Sequence, residues 1–367
     1  MTTLHIDLGR QWRGGQNQAL LLVQGLRARG HAAELVALRG SPLAERAQAA
    51  GVRVHQVGGR AARLQAALLL RKLLDQTRYD LVHCHDAHGL TAAWLAGVHK
   101  HAPVVASRRV AYPASRKPFA LARYRSAQRI IAVSRFVREG VLASGLPGEW
   151  VEVVYDGVEV PRLPEPEERL AARRRWVVPD ASDRALLGCV GYLLPEKAQD
   201  LLIRALPLVR ERYPGCRLVL AGDGPCRRRL ERLALQLGVG EVVEFAGLVS
   251  DVSQVYRALD VFLFPSLAEP LGSSLLAAMA CGLPAVALAR GAVPEIVEDG
   301  RNGLLVPAPD PALIAAAVVR LLEDSALAAR LGAAARGTIE RRFSAGRMVE
   351  DTLALYDRVC GESGHFR

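Results

Sequence analysis

The sequence lacks the features that would specialise it for a membrane interior or for a disulfide framework. No run approaches the roughly 18 to 20 consecutive apolar residues that a membrane-spanning helix needs. The six cysteines include no Cys-x-x-Cys pair, which indicates reduced thiols rather than disulfides or a metal framework. The N-terminus starts with strand-like residues 4–8 and has no basic and then apolar leader, so we expect no signal peptide and a cytoplasmic protein.

Acidic residues are also scarce relative to basic ones. The chain has 37 Asp and Glu against 48 Lys and Arg, for a formal net charge of +11. Such a surface attracts phosphates, anionic lipid headgroups or nucleic acid, and a basic surface that is merely solvated is the alternative. Since no nucleic-acid-binding motif accompanies the charge, we expect no nucleic acid partner.

Motifs for dinucleotide and metal sites are missing as well. The chain has no complete Gly-x-Gly-x-x-Gly and no Asp-x-Asp motif in a convincing context. Residues 83–88 contain three histidines and an aspartate, which suggests zinc, but in a strand His83 and His85 share a face while His88 lies beyond it. An active-site floor or a hydrogen-bonded edge of the core is the other interpretation, and we predict no metal.

The sequence does contain a regular alternation of strand-like and helix-like segments. Its 367 residues are enough for two domains with separate cores, and a hydrophobic half of the residues is typical of a folded globular protein. Both halves alternate, which predicts an α/β fold with parallel sheets. Strands are predicted near 4–8, 33–38, 52–57, 80–84, 130–134, 151–158, 185–191, 217–221 and 242–247. Between the halves, residues 161–183 are rich in Pro, Glu and Arg with little strand signal, which is typical of a linker.

The most informative stretch is residues 262–307. An apolar strand runs into a loop with Pro and Gly, and Ser273 or Ser274 is predicted to cap a helix that stops at Gly282. This strand–helix–strand unit places Glu269 at the carboxyl end of the first strand. Ligands of open parallel sheets bind at that edge, and a helix N-terminus there favours negative charge.

This stretch resembles the donor-site signature of retaining, nucleotide-sugar-dependent glycosyltransferases of family 4 (glycosyl transferases group 1), which have the GT-B architecture. Glu269 matches the first glutamate of the family pattern, but Ala277 stands where a second glutamate usually holds the ribose. The resemblance implies two Rossmann-like domains that face each other across a cleft. The implied segments are an acceptor domain at 1–160, a linker region at 161–183, a donor domain at 184–342, and residues 343–367 with a helix that packs back on the first domain.

Other loops match the same family. Gly14 and Gly15 lie at a strand-to-helix turn, which is either a plain tight turn or, as the resemblance implies, a loop that faces the donor diphosphate. Lys197 matches the lysine that neutralises the diphosphate as the glycosidic bond breaks. Tyr192 replaces the usual arginine, so one of two expected cations is missing, and Arg13 is a candidate substitute.

The predicted catalytic residues are Lys197 and Glu269, the latter as a partner of sugar hydroxyls. The predicted substrate-binding residues lie in loops that follow strands: Arg13, Gly14, Gly15, Arg108, Gly191, Tyr192, Gly222, Gly224, Gly272, Ser273, Gly291, Ala292 and Val293. The backbone N–H groups of Gly291, Ala292 and Val293 are expected to meet the donor sugar. Because Ala277 cannot bind the ribose, either another group such as Ser273 or Ser274 reaches it, or donor affinity is weak, or the protein has lost catalysis.

A dense basic segment lies between Arg108 and Arg129, in the part that lines the acceptor side in related enzymes. It suits an anionic acceptor or a bilayer surface, and a solvated run of charges is the alternative. Arg108 stands near a position where many family members have a histidine that touches the transferred sugar. The turn at Asp156-Gly157-Val158 matches a family Asn-Gly-Val, with Asp in place of Asn.

The resemblance therefore implies a glycosyltransferase of cell-envelope glycan synthesis, acting with retention and without metal or cofactor. The donor would be a nucleotide sugar, and the acceptor an anionic glycan or a lipid-linked or phosphorylated molecule. Peripheral contact with the anionic inner face of the cytoplasmic membrane is part of this expectation. The alternatives are a catalytically silent binding or scaffold subunit of the same fold, and a nucleotide-sugar epimerase or phosphorylase.

Overall fold

The computed structural model describes residues 1–59, 61–176 and 185–362. The chain divides into two compact units. Unit 1 comprises Met1–Gly157 together with Ala345–Arg367, and unit 2 comprises Val158–Ser344. Residues 177–183 of the predicted linker and residues 363–367 of the predicted C-terminal segment lie outside the described part.

Unit 1 is built on a parallel sheet. Its described strands are β1 (Thr2–Asp7), β2 (Ala32–Leu38), β3 (Val54–Val57), β4 (Leu81–Cys84), β5 (Val104–Arg108), β6 (Arg129–Ala132) and β7 (Val151–Val153). The strand order is β3-β2-β1-β4-β5-β6-β7, and every described pair is parallel. Strands such as β4 and β5 are buried along their whole length, as expected where helices cover both faces of a parallel sheet.

The helices of unit 1 follow the strands in turn. They are α1 (Gly14–Ala28), α2 (Pro42–Ala49), α3 (Ala62–Gln76), α4 (Ala87–Ala96), α5 (Pro118–Arg125) and α6 (Arg135–Leu142). The side chains of Ser41, Asp86 and Ser134 accept hydrogen bonds from the first free N–H groups of α2, α4 and α6. These caps fix where each helix starts, and hence which loop residues remain at the carboxyl edge of the sheet.

Unit 2 repeats this architecture. Its described strands are β8 (Leu186–Val190), β9 (Arg217–Ala221), β10 (Val243–Gly247), β11 (Val261–Phe264), β12 (Ala285–Leu288) and β13 (Leu304–Val306). They are parallel, in the order β10-β9-β8-β11-β12-β13. The helices are α7 (Pro166–Arg173), α8 (Gln199–Arg212), α9 (Arg227–Gln236), α10 (Ser253–Ala258), α11 (Ser273–Ala280), α12 (Val293–Ile296), α13 (Pro311–Glu323) and α14 (Ser325–Arg342). The predicted fold of two Rossmann-like units is confirmed.

Helix α7 lies inside the segment 161–183 that was predicted to contain the linker. Its start carries a capping box between Glu165 and Glu168, in which each side chain accepts from the backbone N–H of the other. Arg169 and Arg173 both form ion pairs with Asp260, at 2.6 and 2.9 Å. The segment at 166–173 is therefore a helix anchored to unit 2.

The chain returns to unit 1 as α15 (Ala345–Glu362). Helix α15 packs against α1, where a Cβ at Gly25 would lie 2.4 Å from Val349. The buried Tyr356 hydroxyl is hydrogen-bonded to Nδ1 of His83, whose Nε2 lies 2.7 Å from Ser107 Oγ. In the described residues, no helix combines the length and the apolarity needed to cross a bilayer.

Candidate active site

The site in unit 2 lies where the strand order reverses. β8 and β11 are neighbours in the sheet, and the loops that follow them lie at the edge where open α/β sheets bind ligands. The first loop carries Lys197 and the second carries Glu269. Nζ of Lys197 is 2.5 Å from Oε2 of Glu269. The structure thus brings together the two predicted catalytic residues, which are 72 positions apart in the chain.

The two members of this pair differ in exposure. Glu269 is 6% exposed, whereas a quarter of the Lys197 side chain is accessible. The ammonium compensates a carboxylate that water barely reaches, and it also lies 5.9 Å from the centre of the Phe264 ring. Because Lys197 is the more exposed partner, it can meet an anionic ligand without leaving Glu269.

Three predicted glycine positions hold these loops in close contact. Gly222 has φ +143°, and a Cβ there would lie 2.0 Å from the carbonyl oxygen of Gly191. Gly291 has φ +57°, and its Cβ would lie 2.4 Å from the carbonyl oxygen of Glu269. A Cβ at Gly224 would collide in the same way with the backbone of the loop after β8. These glycines therefore position the Glu269 and Lys197 loops against their neighbours.

The backbone amides predicted to meet a donor sugar are only partly available. The Ala292 N–H donates to the Glu269 carbonyl at 3.0 Å, and the Val293 N–H donates to the Arg290 carbonyl at 3.2 Å. Both N–H groups thus have backbone partners within unit 2. Contact of Gly291, Ala292 and Val293 with the donor sugar stays a prediction.

The loop before α8 has an unusual conformation. Ala198 has φ +48°, and it is the one non-glycine residue with positive φ among the described residues. A side chain in the left-handed region is strained, and the related family has glycine at this position. Tyr192 is 41% exposed, and its carbonyl accepts a hydrogen bond from Gln199 Nε2 at 3.2 Å. The Tyr192 ring is thus accessible at the surface. Tyr192 precedes Lys197 in the same loop and stands at the position where the family usually has an arginine.

The start of α11 differs from the predicted one. Gly272, with φ +112°, is the N-cap residue, and Ser273 and Ser274 are the first residues of the helix. The predicted serine cap is therefore wrong, because the left-handed glycine already turns the chain into the helix. Ser273 is exposed and stands four residues before Ala277, so both share one face of α11. Contact of Ser273 or Ser274 with the ribose stays a prediction.

In unit 1 the glycine pair opens α1. Gly14 and Gly15 are the first two residues of the helix, after Arg13 as N-cap residue. Arg13 is exposed, and its Nε donates to Gln11 Oε1 at 2.9 Å. A Cβ at Gly15 would lie 3.8 Å from Cδ of Arg109, so the glycine leaves the helix start open beside that arginine. The predicted diphosphate contact of these residues stays a prediction.

Arg108 is buried and hydrogen-bonded within unit 1. It is 6% exposed, and its guanidinium donates to Tyr124 Oη at 3.0 Å and to the Tyr112 carbonyl at 2.6 Å. The same guanidinium lies 5.0 Å from the centre of the Tyr112 ring. These bonds hold the loop between β5 and α5, and contact of Arg108 with substrate remains a prediction.

Arg109 lies in the basic segment between Arg108 and Arg129, and the sequence analysis did not single it out. Its Nε donates to Asp156 Oδ1 at 2.9 Å, and Nη1 donates to His85 Nδ1 at 3.3 Å. Burial raises the pKa of Asp156, while Arg109 acts in the opposite direction. The turn that carries Asp156 is held by Gln18, whose side chain bonds both the N–H and the carbonyl of Gly157. The replacement of the family asparagine thus creates a buried ion pair.

A chain of neutral side chains continues from Arg109 into the sheet. Since a guanidinium can only donate, Nδ1 of His85 accepts, and a neutral His85 then donates from Nε2 to His5 Nδ1 over 2.9 Å. His5 in turn donates to Thr3 Oγ1 over 3.0 Å. Burial is the larger cause and the charge of Arg109 the smaller one that together lower the pKa of His5 to about 3. Burial is also the largest cause of the lowered pKa values of His83 and His85.

Of the interpretations offered for the histidine cluster, the hydrogen-bonded edge of the core describes what is found. His5, His83 and His85 lie close enough together to be considered as metal ligands. However, their ring nitrogens are engaged with one another and with neighbouring side chains. The sequence analysis missed His5 because it lies 80 residues before His85, and an apolar strand around it was the only local signal.

The sequence of the chain matches two protein-family models. A family model described as Glycosyltransferase Family 4 matches residues 12–162, and one described as Glycosyl transferases group 1 matches residues 172–338. An uncharacterized glycosyltransferase of Methanocaldococcus jannaschii is 30% identical over 364 residues, covering 91% of this chain and 92% of that protein.

A second relative matches over a shorter stretch. A GDP-mannose-dependent alpha-(1-6)-phosphatidylinositol monomannoside mannosyltransferase of Mycolicibacterium smegmatis is 38% identical over 214 residues. The match covers 56% of this chain and 55% of the relative, so it spans about half the length of that protein.

Among solved structures, that of Anabaena HepE in complex with UDP and glucose has a TM-score of 0.86 at 22% identity. The match covers 97% of this chain and 99% of the other, which shows a common fold. With two family models along the chain, a relative aligned over nine-tenths of it and a shared fold, the protein belongs to glycosyltransferase family 4 and is a GT-B glycosyltransferase.

Proposed function

We propose that the enzyme transfers a sugar from a nucleoside diphosphate sugar to a phosphate-bearing glycan or lipid-linked acceptor in cell-envelope glycan synthesis. Transfer proceeds with retention of configuration and without a metal or other cofactor. The observation that carries the proposal is the Lys197–Glu269 pair, because it sets a fixed cation beside a buried carboxylate at the ligand-binding edge of unit 2.

The proposed chemistry follows from this pair. The bond between the anomeric carbon and the diphosphate oxygen breaks, and negative charge grows on the leaving diphosphate. Lys197 and the N-terminus of the 14-residue α8 supply the compensating positive charge. Glu269 accepts hydrogen bonds from sugar hydroxyls. The acceptor oxygen bonds to the anomeric carbon on the same face, and its proton passes to an oxygen of the departing phosphate.

The charge distribution supports an anionic acceptor. Unit 1 has 25 Lys and Arg against 14 Asp and Glu, whereas unit 2 has 23 of each. The whole formal charge of +11 therefore belongs to unit 1. The Mycolicibacterium smegmatis relative is named for a phosphatidylinositol mannoside, which joins phosphate and lipid in one acceptor. A basic acceptor unit suits such a molecule and peripheral contact with the anionic inner face of the cytoplasmic membrane.

The donor is tested first by the thermal midpoint of the full chain with UDP, GDP, ADP and CMP, and then with sugar-linked forms of any ligand that stabilises. A ligand at about 100 times its dissociation constant adds about 2.7 kcal/mol of stability, which shifts the midpoint by several degrees. One nucleotide is expected to stabilise the protein, and Lys197→Met is expected to abolish the shift. Stabilisation by none of them would contradict the proposed donor site and favour the scaffold alternative.

Transfer is tested next with phosphatidylinositol and inositol phosphate as acceptors. Product that keeps the donor's anomeric configuration in its NMR coupling, with activity unchanged in EDTA, is the expected result. Inverted product or EDTA-sensitive turnover would contradict retention or metal independence. Release of free sugar with no acceptor added would favour a different reaction on the same fold.

A further inference from the structure

The outer face of α3, α4 and α5 exposes large apolar side chains. On α3, Leu64 is 59% and Leu68 is 66% exposed. Leu95 on α4 is 38% exposed, and Phe119 on α5 is 55% exposed. Isolated exposed leucines are common, but several on neighbouring helices mark an interaction surface. We call this surface the α3–α5 face.

Contacts between the three helices show that these side chains share one surface. Arg71 donates to the carbonyl of Leu95 at 3.2 Å, and Leu68 and Leu64 precede Arg71 on the same stripe of α3. On the other side of α4, the rings of Trp94 and Phe119 pack edge to face with centroids 5.0 Å apart. The helices therefore lie side by side, with their exposed apolar residues on the same side of the sheet.

Basic residues outnumber acidic ones in and around this face. Residues 87–138, which run from α4 into α6, contain ten Lys and Arg and not one Asp or Glu. Arg116 and Lys117 stand immediately before α5 and are exposed. Helix α3 adds Lys72 and carries a single acidic residue, Asp75, near its C-terminal end. Apolar side chains surrounded by basic ones are typical of surfaces that lie in the plane of an anionic membrane interface.

We propose that the α3–α5 face docks on an anionic phospholipid bilayer. The leucine and phenylalanine side chains enter the boundary between headgroups and acyl chains, and the lysines and arginines meet lipid phosphates. A second copy of the chain is a poorer occupant, because pairing this face with itself would bring two surfaces together in which basic residues outnumber acidic ones. The inference deepens the membrane contact of the proposed function and rests on it, but docking is measured without any sugar transfer.

The experiment is cosedimentation of the full chain with vesicles. We expect binding to phosphatidylcholine vesicles that contain about 30% phosphatidylglycerol, and at least about tenfold weaker binding to pure phosphatidylcholine or at high salt. Equal binding to both vesicle types, or no binding to either, would overturn the proposal.

Substitutions locate the docking face. The variant Leu64→Ser/Leu68→Ser/Phe119→Ser is expected to bind anionic vesicles at least about tenfold more weakly. The matched control is Leu235→Ser/Leu248→Ser in unit 2, where the two leucines are 71% and 79% exposed, and it should bind like the wild type. All of these positions are exposed, so both variants should keep the thermal midpoint. Unchanged binding by the triple variant, or an equal loss in the control, would overturn the assignment.

Two double substitutions that remove basic residues test the electrostatic contribution to vesicle binding. Arg116→Gln/Lys117→Gln is expected to weaken binding to anionic vesicles and to reduce its salt dependence. Arg228→Gln/Arg232→Gln on α9 of unit 2 removes the same charge from another exposed helix and should have little effect. If both pairs weaken binding equally, net charge rather than the α3–α5 face explains the attraction, and the proposal falls.

Two further measurements separate the outcomes. A doubled mass in light scattering that returns to the monomer value in the triple serine variant would assign the face to a second copy and overturn bilayer docking. The nucleotide-induced thermal shift is measured on the same proteins. Vesicle binding without any nucleotide response would keep the docking face and refute the proposed function, while the reverse pattern would refute the docking face alone.

Discussion

The Lys197–Glu269 pair leads to a prediction that separates its structural role from its role in donor binding. Because Glu269 is 6% exposed, removing the ammonium leaves a carboxylate with little water and no cation. Breaking a buried pair in this way costs about 3–5 kcal/mol, and partial exposure lowers the cost. A quarter of the Lys197 side chain is accessible, so we expect Lys197→Met to reduce the free energy of unfolding by about 2–3 kcal/mol.

The assay is thermal unfolding of three variants without ligand. For a unit of this size, about 2–3 kcal/mol corresponds to a fall of about 4–12 °C in the midpoint. The double variant Lys197→Met/Glu269→Gln removes both charges and should recover most of that loss, because no unpaired charge remains buried. Glu269→Gln alone keeps an acceptor for the lysine and should be intermediate. None of the three should bind the donor with the affinity of the wild type.

Two results would refute this reasoning. If Lys197→Met unfolds at the temperature of the wild type, the ion pair does not compensate a buried charge in solution. If the double variant is less stable than Lys197→Met, the loss comes from packing rather than from an orphaned carboxylate. Recovery of stability together with recovery of donor binding would show that the pair has no role in recognising the donor.

Three further predictions concern single positions. Ala277→Glu restores the carboxylate usual in the family on an accessible face of α11, and one charge-assisted bond of about 1.5–3 kcal/mol should tighten nucleotide binding at least about tenfold in calorimetry. Ala198→Gly removes a side chain at φ +48° and should raise the stability to denaturant by about 0.5–1 kcal/mol, whereas Ala50→Gly at φ −84° should lower it. Burial, and then Asp86, raise the pKa of Asp7 from 3.8 to about 6, so the native state holds that proton more tightly and stability falls as the pH rises from about 4 to 6. Asp7→Asn should therefore gain up to about 3 kcal/mol at pH 8 and little at pH 4.

Each of these has a contrary outcome. Ala277→Gln is the uncharged control, and equal tightening by Gln and Glu would show that a carboxylate is not what the position lacks. Loss of stability in Ala198→Gly as large as in Ala50→Gly would mean that the positive φ is not strained in solution. An Asp7→Asn effect that is the same at pH 4 and pH 8 would show that the charge of Asp7 is not what burial opposes.

Much of the fold was predictable because strands and helices have local signatures. Strands covered on both faces are largely apolar, so their positions are visible in the sequence, as for β11 and β12. Helix α7 was not predicted, because it is short and polar. It is stabilised by a capping box and by two arginines that reach Asp260, about 90 residues further along the chain. Such a partner leaves no trace in the local pattern.

The candidate site was predictable to a similar degree. Family motifs identified Lys197 and Glu269 as separate residues, and their ion pair appeared only when β8 and β11 became neighbours. The expected cap at Ser273 or Ser274 was wrong. A serine before an apolar run predicts a cap, whereas Gly272 with its positive φ is the residue at which α11 starts. The amide of Ala292 looked available in the sequence, yet its partner is the Glu269 carbonyl.

By itself the sequence determined the α/β class, the excess of basic charge, the acid-free stretch at 87–138 and the loop motifs of the family. Tertiary structure alone decided that His5 and His85 link Arg109 to the core, and that exposed residues of three helices form one face. The physical reason is that periodicity reports which side of a segment is buried, whereas hydrogen bonds, ion pairs and shared surfaces depend on which distant segment lies opposite.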